Sequence, residues 1–307
     1  MKVSIVGVGR VGSALALSLI ARGIVDELVL IGRSSPDQNP HLAGEAMDLL
    51  HASAFTHPTH VRAGSIDDGA NSDVIAICAS APESGANRAI AAAENAAIFR
   101  ELIPALVRAA PKSVLLITSN PLDVMTTMAL RLSGLPPGKV IGTGTLLDTV
   151  RLRVMLSQRC GIHPLDIRAY VLGEHGDSQF AVLSAATAGG AGLDLPPQTL
   201  RDLEEQTRRS GYEIMRLKGS SSAGVAFAAT AIIHAIATDS REIIPVSTLV
   251  NGFCGVQDVC LSLPAIVGRH GVVRTIDVQL TPEEAEAFRR SSSVVLGQLH
   301  RLPKRGR

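Results

Sequence analysis

A lone histidine stands in the glycine-flanked turn Gly173-Glu174-His175-Gly176-Asp177, directly after the apolar run Val171-Leu172, and a helical stretch upstream carries Asp148 and Arg151. Residues three apart on a helix share a face, so this carboxylate and guanidinium can aim at one point. Imidazole titrates near neutrality. A neighbouring carboxylate favours its charged form, and a guanidinium offers a two-pronged grip to a planar carboxylate. The three side chains outline proton transfer on a small anionic substrate. The plainer alternative is that Asp148 and Arg151 pair with each other on a helix surface and His175 only makes a turn.

A second pattern sits at the start of the chain. Gly7-Val8-Gly9-Arg10-Val11-Gly12 follows a strand and opens a helix, the context in which glycines allow a tight turn and a close approach of pyrophosphate to a helix N-terminus. A glycine turn of purely structural purpose is the alternative. About twenty residues on, an acidic side chain would bind the ribose hydroxyls of NAD. Gly32 stands there, followed by Arg33-Ser34-Ser35, a guanidinium and hydroxyls suited to a ribose 2'-phosphate. NADP is therefore expected in preference to NAD, against the reading of Arg33 as an incidental surface residue.

The elements that must carry these groups follow from periodicity. Short β-branched runs at Val3 to Val6, Leu28 to Ile31, Val61 to Ala63, Val74 to Cys78, Val114 to Thr118 and Val140 to Gly142 alternate with amphipathic stretches, the signature of a parallel sheet covered by helices. Val11 to Arg22 closes on Gly23, and Pro40 and Pro121 suit first helical turns. Beyond Thr143 the order changes. A helix holds Asp148, strands are expected around Ala169 to Leu172, Ile243 to Val250, Val259 to Leu263 and Val272 to Leu280, and helices from Pro197 to Ala237. A last helix, Pro282 to His300, begins with a capping box of Thr281 and Glu284. The fold class is α/β: a Rossmann doubly wound domain over residues 1–142 and an α+β substrate domain over 143–307.

The 307 residues, 46% hydrophobic, can build a full core, and a formal charge of +1 gives nucleic-acid binding little electrostatic support. No apolar run is long enough for a membrane span, and Met1 to Val6 reads as a strand rather than a signal peptide, so a cytoplasmic protein is expected. Cys78, Cys160, Cys254 and Cys260 form no metal-ligand spacing, and no metal is expected.

With Gly7 to Gly12, Thr118-Ser119-Asn120-Pro121-Leu122-Asp123-Val124-Met125, Gly142 to Asp148, the His175 turn and Ile244-Pro245-Val246-Ser247 in place, the chain resembles the L-lactate and L-malate dehydrogenase family from end to end. The bacterial L-lactate enzymes are nearest. The resemblance implies hydride transfer between a nicotinamide cofactor and a 2-hydroxy or 2-oxo monocarboxylic acid. It implies that His175 gives and takes the proton, Asp148 orients it, Arg151 clamps the substrate carboxylate and Arg88 polarises the carbonyl. Asn120, joined to Pro121 by a cis bond in the family, would contact substrate and nicotinamide. A homotetramer or homodimer is implied as well.

The chain departs from the family in the stretch before Arg88. Pro82 occupies the substrate-discriminating position, glutamine in lactate enzymes and arginine in malate enzymes. Proline offers no charge to a second carboxylate, which disfavours malate. Ser221 stands where threonine usually lines the pocket, and with Ala86, Ala89 and Ile90 it hints at room for a larger apolar acid. Arg153 and Arg168 match the positions at which bacterial lactate enzymes bind a phosphate-bearing sugar between subunits, which suggests a phosphate effector there, against the reading of two ordinary surface arginines. Competing assignments are a malate dehydrogenase, a non-catalytic dinucleotide sensor, and an NAD-using glycoside hydrolase, which would need a metal-binding set of Cys and His.

Overall fold

The computed structural model describes residues 1–34, 36–81 and 88–303. Its first half alternates strand and helix: β1 (Lys2–Val6), α1 (Arg10–Arg22), β2 (Glu27–Ile31), α2 (Pro40–Ser53), β3 (His60–Gly64), β4 (Val74–Ile77), α3 (Arg88–Ala109), β5 (Val114–Ile117), α4 (Leu122–Ser133) and β6 (Val140–Gly142). β4 and β5 are buried at every position, and β1 and β2 at all but the first, as in a sheet covered on both faces. These strands run parallel in the order β3-β2-β1-β4-β5-β6. The order reverses between β1 and β4, which opens a crevice at their C-terminal ends.

The second half adds α5 (Leu146–Cys160), β7 (Ile167–Leu172), β8 (Phe180–Ala188), β9 (Ala191–Gly192), α6 (Pro197–Lys218), α7 (Ser222–Thr238), β10 (Glu242–Asn251), β11 (Gln257–Gly268), β12 (Gly271–Thr275) and α8 (Pro282–Arg301). β10, β11 and β12 pair antiparallel and extend the first sheet past β6 to nine strands, while β7, β8 and β9 form a sheet of their own. The two halves also share a core: Leu15 and Leu19 of α1 pack in one cluster with Ile232 and Ile236 of α7. Within that contact the Thr230 hydroxyl donates to Ser18 Oγ at 2.9 Å. No described helix is long and apolar enough to cross a membrane.

Three local expectations need adjusting. Periodicity predicts no strand at β8, because its alanines and Ser184 have low strand propensity and only pairing with β7 makes it a strand. β12 stops at Thr275 instead of Leu280. The Ile276 amide donates to the Pro264 carbonyl at 2.7 Å, and Pro264 has no N–H to return, so the ladder ends there. Pro121 is the N-cap of α4, just outside the first turn, after a cis Asn120–Pro121 bond. The capping box of α8 forms as expected, with Thr281 N–H donating to Glu284 Oε2 at 3.0 Å and Glu284 N–H to Thr281 Oγ1 at 3.2 Å.

Candidate active site

The helix that carries Asp148 is sewn to the strand that precedes His175. The Thr145 hydroxyl donates to the Val171 carbonyl, and Thr149 Oγ1 accepts the Val171 N–H at 2.9 Å. Both threonines are fully buried, so the register of α5 against β7 is fixed on either side of Asp148. Beyond β7, Gly173 adopts φ +87°, and a Cβ there would lie 2.4 Å from Ser291 Oγ. Only glycine lets the chain pass beneath α8 and turn back toward α5.

That turn delivers His175 to its partners. His175 Nδ1 lies 2.6 Å from Asp148 Oδ2, and Arg151 Nη1 donates to Asp148 Oδ1 at 2.9 Å. Arg151 Nη2 also donates to Ser221 Oγ at 3.2 Å, at the break between α6 and α7. Asp148 is 2% exposed, whereas the His175 side chain keeps 27% of its surface open. Since Nδ1 is taken by Asp148, Nε2 is the ring atom free for a substrate among the described residues.

The charges are mutually set. Burial alone would raise the Asp148 carboxyl, but the His175 and Arg151 charges outweigh it and hold that carboxyl below its ordinary value. Burial likewise opposes charge on His175, yet Asp148, helped by Asp123, more than offsets it, and the imidazole titrates above its ordinary value. A helix-surface ion pair is therefore too small a description of Asp148 and Arg151. Their shared carboxylate also holds a charged-prone imidazole in the crevice.

The fingerprint turn lies at the switch point. Gly7 follows β1 with φ +92°, and a Cβ on it would meet the Ala79 nitrogen at 2.5 Å. One on Gly12 would meet the Gly7 carbonyl oxygen at 2.2 Å. Gly9 differs, because a Cβ there would have nothing within 4 Å. Two glycines thus close-pack turn, strand and helix, and the third leaves open the N-terminus of α1, which no side chain caps. This cradle fits a pyrophosphate. Arg10 Nη1 reaches the Gly219 carbonyl at 3.1 Å, and Val11 continues the first turn of α1.

At the adenosine end, Gly32 is constrained by packing. A Cβ on it would stand 2.9 Å from Asn39 Nδ2 and 3.0 Å from Leu42 Cδ2. The exposed Arg33 donates to the Ser80 carbonyl at 3.2 Å, bridging the loops after β2 and β4 beside Ser34. Ser35 and Pro82 lie outside the described residues, as do Ala86 and the side chains of Arg88 and Ala89. Exposed Asn120 closes the crevice on the β5 side, its carbonyl accepting the Asn95 amide at 2.7 Å.

Asn95, Thr145, Thr149, Asp123 and Ser247 received no role from the sequence. Asn95 is a lone amide in an alanine-rich helix, and its Oδ1 also accepts the Ala81 N–H at 2.6 Å. Asp123 accepts the His175 N–H at 2.7 Å and the Ser247 hydroxyl at 2.6 Å. Their one signal was membership of the quoted motifs, or polarity on an otherwise apolar face.

Residues 1–142 match the family described as lactate/malate dehydrogenase, NAD binding domain, and residues 145–301 match its alpha/beta C-terminal domain. The chain is 41% identical to an L-lactate dehydrogenase of Synechococcus sp. (strain JA-3-3Ab), over 96% of this chain and 97% of that protein. It is 40% identical to an L-lactate dehydrogenase of Thermus aquaticus, over 97% and 98%. Among solved structures, the minor L-lactate dehydrogenase from Enterococcus mundtii in a ligands-bound form superposes with a TM-score of 0.93 at 31% identity, covering 98% of each chain.

Proposed function

Because the chain belongs to the lactate/malate dehydrogenase family, we propose that its crevice carries out hydride transfer between a nicotinamide dinucleotide and a 2-oxo acid in the manner of an L-lactate dehydrogenase. The observation that carries this reading is the Asp148-His175-Arg151 cluster beside the glycine cradle. A dinucleotide held over the Gly7-Gly9-Gly12 turn would supply or take a hydride at its nicotinamide ring. His175, charged and tautomer-fixed by Asp148, provides the proton that the developing alkoxide needs, through Nε2. Arg151 has its fork presented at the α6–α7 break to receive the substrate carboxylate, and Ser221 lines the same spot. Arg88 and Asn120 take the carbonyl-polarising and nicotinamide-side roles that the resemblance assigns. Residues 1–142 hold the cofactor and residues 143–307 the substrate.

NADP is the preferred cofactor in this reading. Gly32 has no carboxylate for a ribose hydroxyl, and Asn39 Nδ2 occupies the space into which one would grow, leaving amide, guanidinium and hydroxyl donors for a phosphate. The substrate is a monocarboxylic acid, since Pro82 supplies no cation for a second carboxylate. Arg153 and Arg168 support a phosphate effector. Arg153 lies over the Tyr170 ring, 5.3 Å from its centroid, and no carboxylate pairs with either arginine among the described residues. Exposed Leu17, Met47, Leu50 and Phe227 support an oligomer, and four free cysteines suit the cytoplasm. A sensor would not need an imidazole poised between a carboxylate and a substrate clamp.

Consumption of NADPH and NADH with pyruvate, oxaloacetate and bulkier apolar 2-oxo acids, followed by absorbance, tests the assignment. Faster turnover with NADPH and a monocarboxylic acid is expected. Best turnover with NADH overturns the cofactor preference, best turnover with oxaloacetate overturns the substrate class, and no turnover at all overturns the enzyme.

A further inference from the structure

We propose that Asp123 is a positioning residue for the proton-transfer step, gripping the main chain of the His175 turn from α4 while Asp148 grips the imidazole ring from α5. The inference rests on the reading of His175 as proton donor. Asp123 lies in the first turn of α4 and is 1% exposed. Both its oxygens are engaged: Oδ2 accepts the His175 N–H at 2.7 Å, and Oδ1 accepts the hydroxyl of fully buried Ser247 at 2.6 Å. Ser247 lies opposite Gly142, where β10 joins β6, so the carboxylate ties the turn to the middle of the nine-stranded sheet. The anchor extends further. The Asp123 carbonyl accepts the Thr127 hydroxyl at 2.7 Å, and Thr127 Oγ1 accepts the Cys260 N–H of β11 at 2.9 Å.

An acid in a first helical turn often serves the helix alone. Asp123 does something different, because its oxygens point away to another element and no Lys or Arg pairs with it among the described residues. A buried carboxylate without a cation is costly, and a neutral amide could still accept the His175 N–H through its one oxygen while the Ser247 hydroxyl turned to accept from its NH2. Burial accordingly pushes the carboxyl up to about 6, despite the lowering pull of Ser247 and the His175 N–H. What the charge adds is its effect on the imidazole. His175 feels Asp148 and Arg151 from α5 and Asp123 from α4, while Asp123 feels His175 and Glu174 from the turn and itself bears on Cys260 of β11. The group thus sets both where the imidazole sits and how tightly it holds its proton.

Three variants of the full chain separate these effects: D123N, D123A and S247A. The readouts are the NMR titration of His175 and the pH dependence of kcat and KM for reduction of a 2-oxo acid. D123N keeps an acceptor but no charge, so the His175 midpoint should fall by about half a unit to one unit. D123A releases the turn and should lower kcat by about 10- to 100-fold with KM little changed, since the Arg151 clamp is untouched. D123N and S247A should lose several-fold less, which is rescue by a retained acceptor. An unmoved His175 midpoint in D123N, or full kcat in folded D123A, overturns the proposal. Should D123A fail to fold, the D123N titration decides. If wild type turns over no 2-oxo acid, the functional reading fails separately, and the NMR midpoint still judges Asp123.

Discussion

His175 holds its proton above the ordinary imidazole range because a buried carboxylate at 2.6 Å outweighs the cost of burial. Reduction of a 2-oxo acid needs the imidazolium. A raised value keeps that form present to higher pH, so reductive kcat/KM should stay level and then fall as pH climbs through it. Oxidation of the hydroxy acid needs neutral imidazole and should follow the opposite limb. Asp148→Asn removes the main raising charge and fixes the wrong tautomer. The expected result is a loss of about 10²- to 10⁴-fold in kcat and a reductive limb displaced to lower pH. A rate–pH profile of D148N superimposable on that of wild type would remove Asp148 from the mechanism.

Two junctions between elements shape the site, one bringing these side chains together and the other bridging the adenosine end. At the first, Thr149 fixes α5 on β7 through the Val171 N–H. Thr149→Val leaves that buried amide unpaired and should cost about 1–3 kcal/mol, read as an earlier denaturant midpoint, with a loss of kcat as Asp148 drifts. An unchanged midpoint would mean that the register is held elsewhere. At the second, Arg33 spans the loops after β2 and β4. Arg33→Ala should raise KM for NADPH by about 10-fold or more, one charge-assisted contact, while leaving NADH nearly unaffected. Equal effects on both cofactors would make Arg33 a structural bridge. The parallel strands, the glycine cradle and the shared face of Asp148 and Arg151 were legible in the sequence, because periodicity, turn chemistry and i,i+3 spacing are local, whereas joining His175 to that pair, 27 residues from Asp148, leaned on the family resemblance. β8, the end of β12 and the Asp123–His175 bond were not. Each depends on a partner that only the fold supplies: β7 for the alanines of β8, Pro264 for the last bond of β12, and a turn 52 residues away for Asp123.

At the scale of the whole molecule, a nine-stranded sheet continuous through both halves holds the cofactor turn and the proton-transfer site on one frame. Exposed Arg168 and half-buried Arg153, which stacks on Tyr170, mark the anion site proposed above. Fructose 1,6-bisphosphate should lower the apparent substrate KM or shift the oligomer population in light scattering, and Arg168→Ala should abolish the response. A wild type indifferent to the sugar in both measurements would count against an effector site. The central claim, that His175 is the proton donor to a substrate gripped by Arg151, is tested most directly by His175→Asn in steady-state reduction of pyruvate alongside direct measurement of dinucleotide affinity. The account predicts kcat lower by about 10²- to 10⁴-fold with dinucleotide affinity unchanged. A variant that reduces pyruvate as fast as wild type would contradict it.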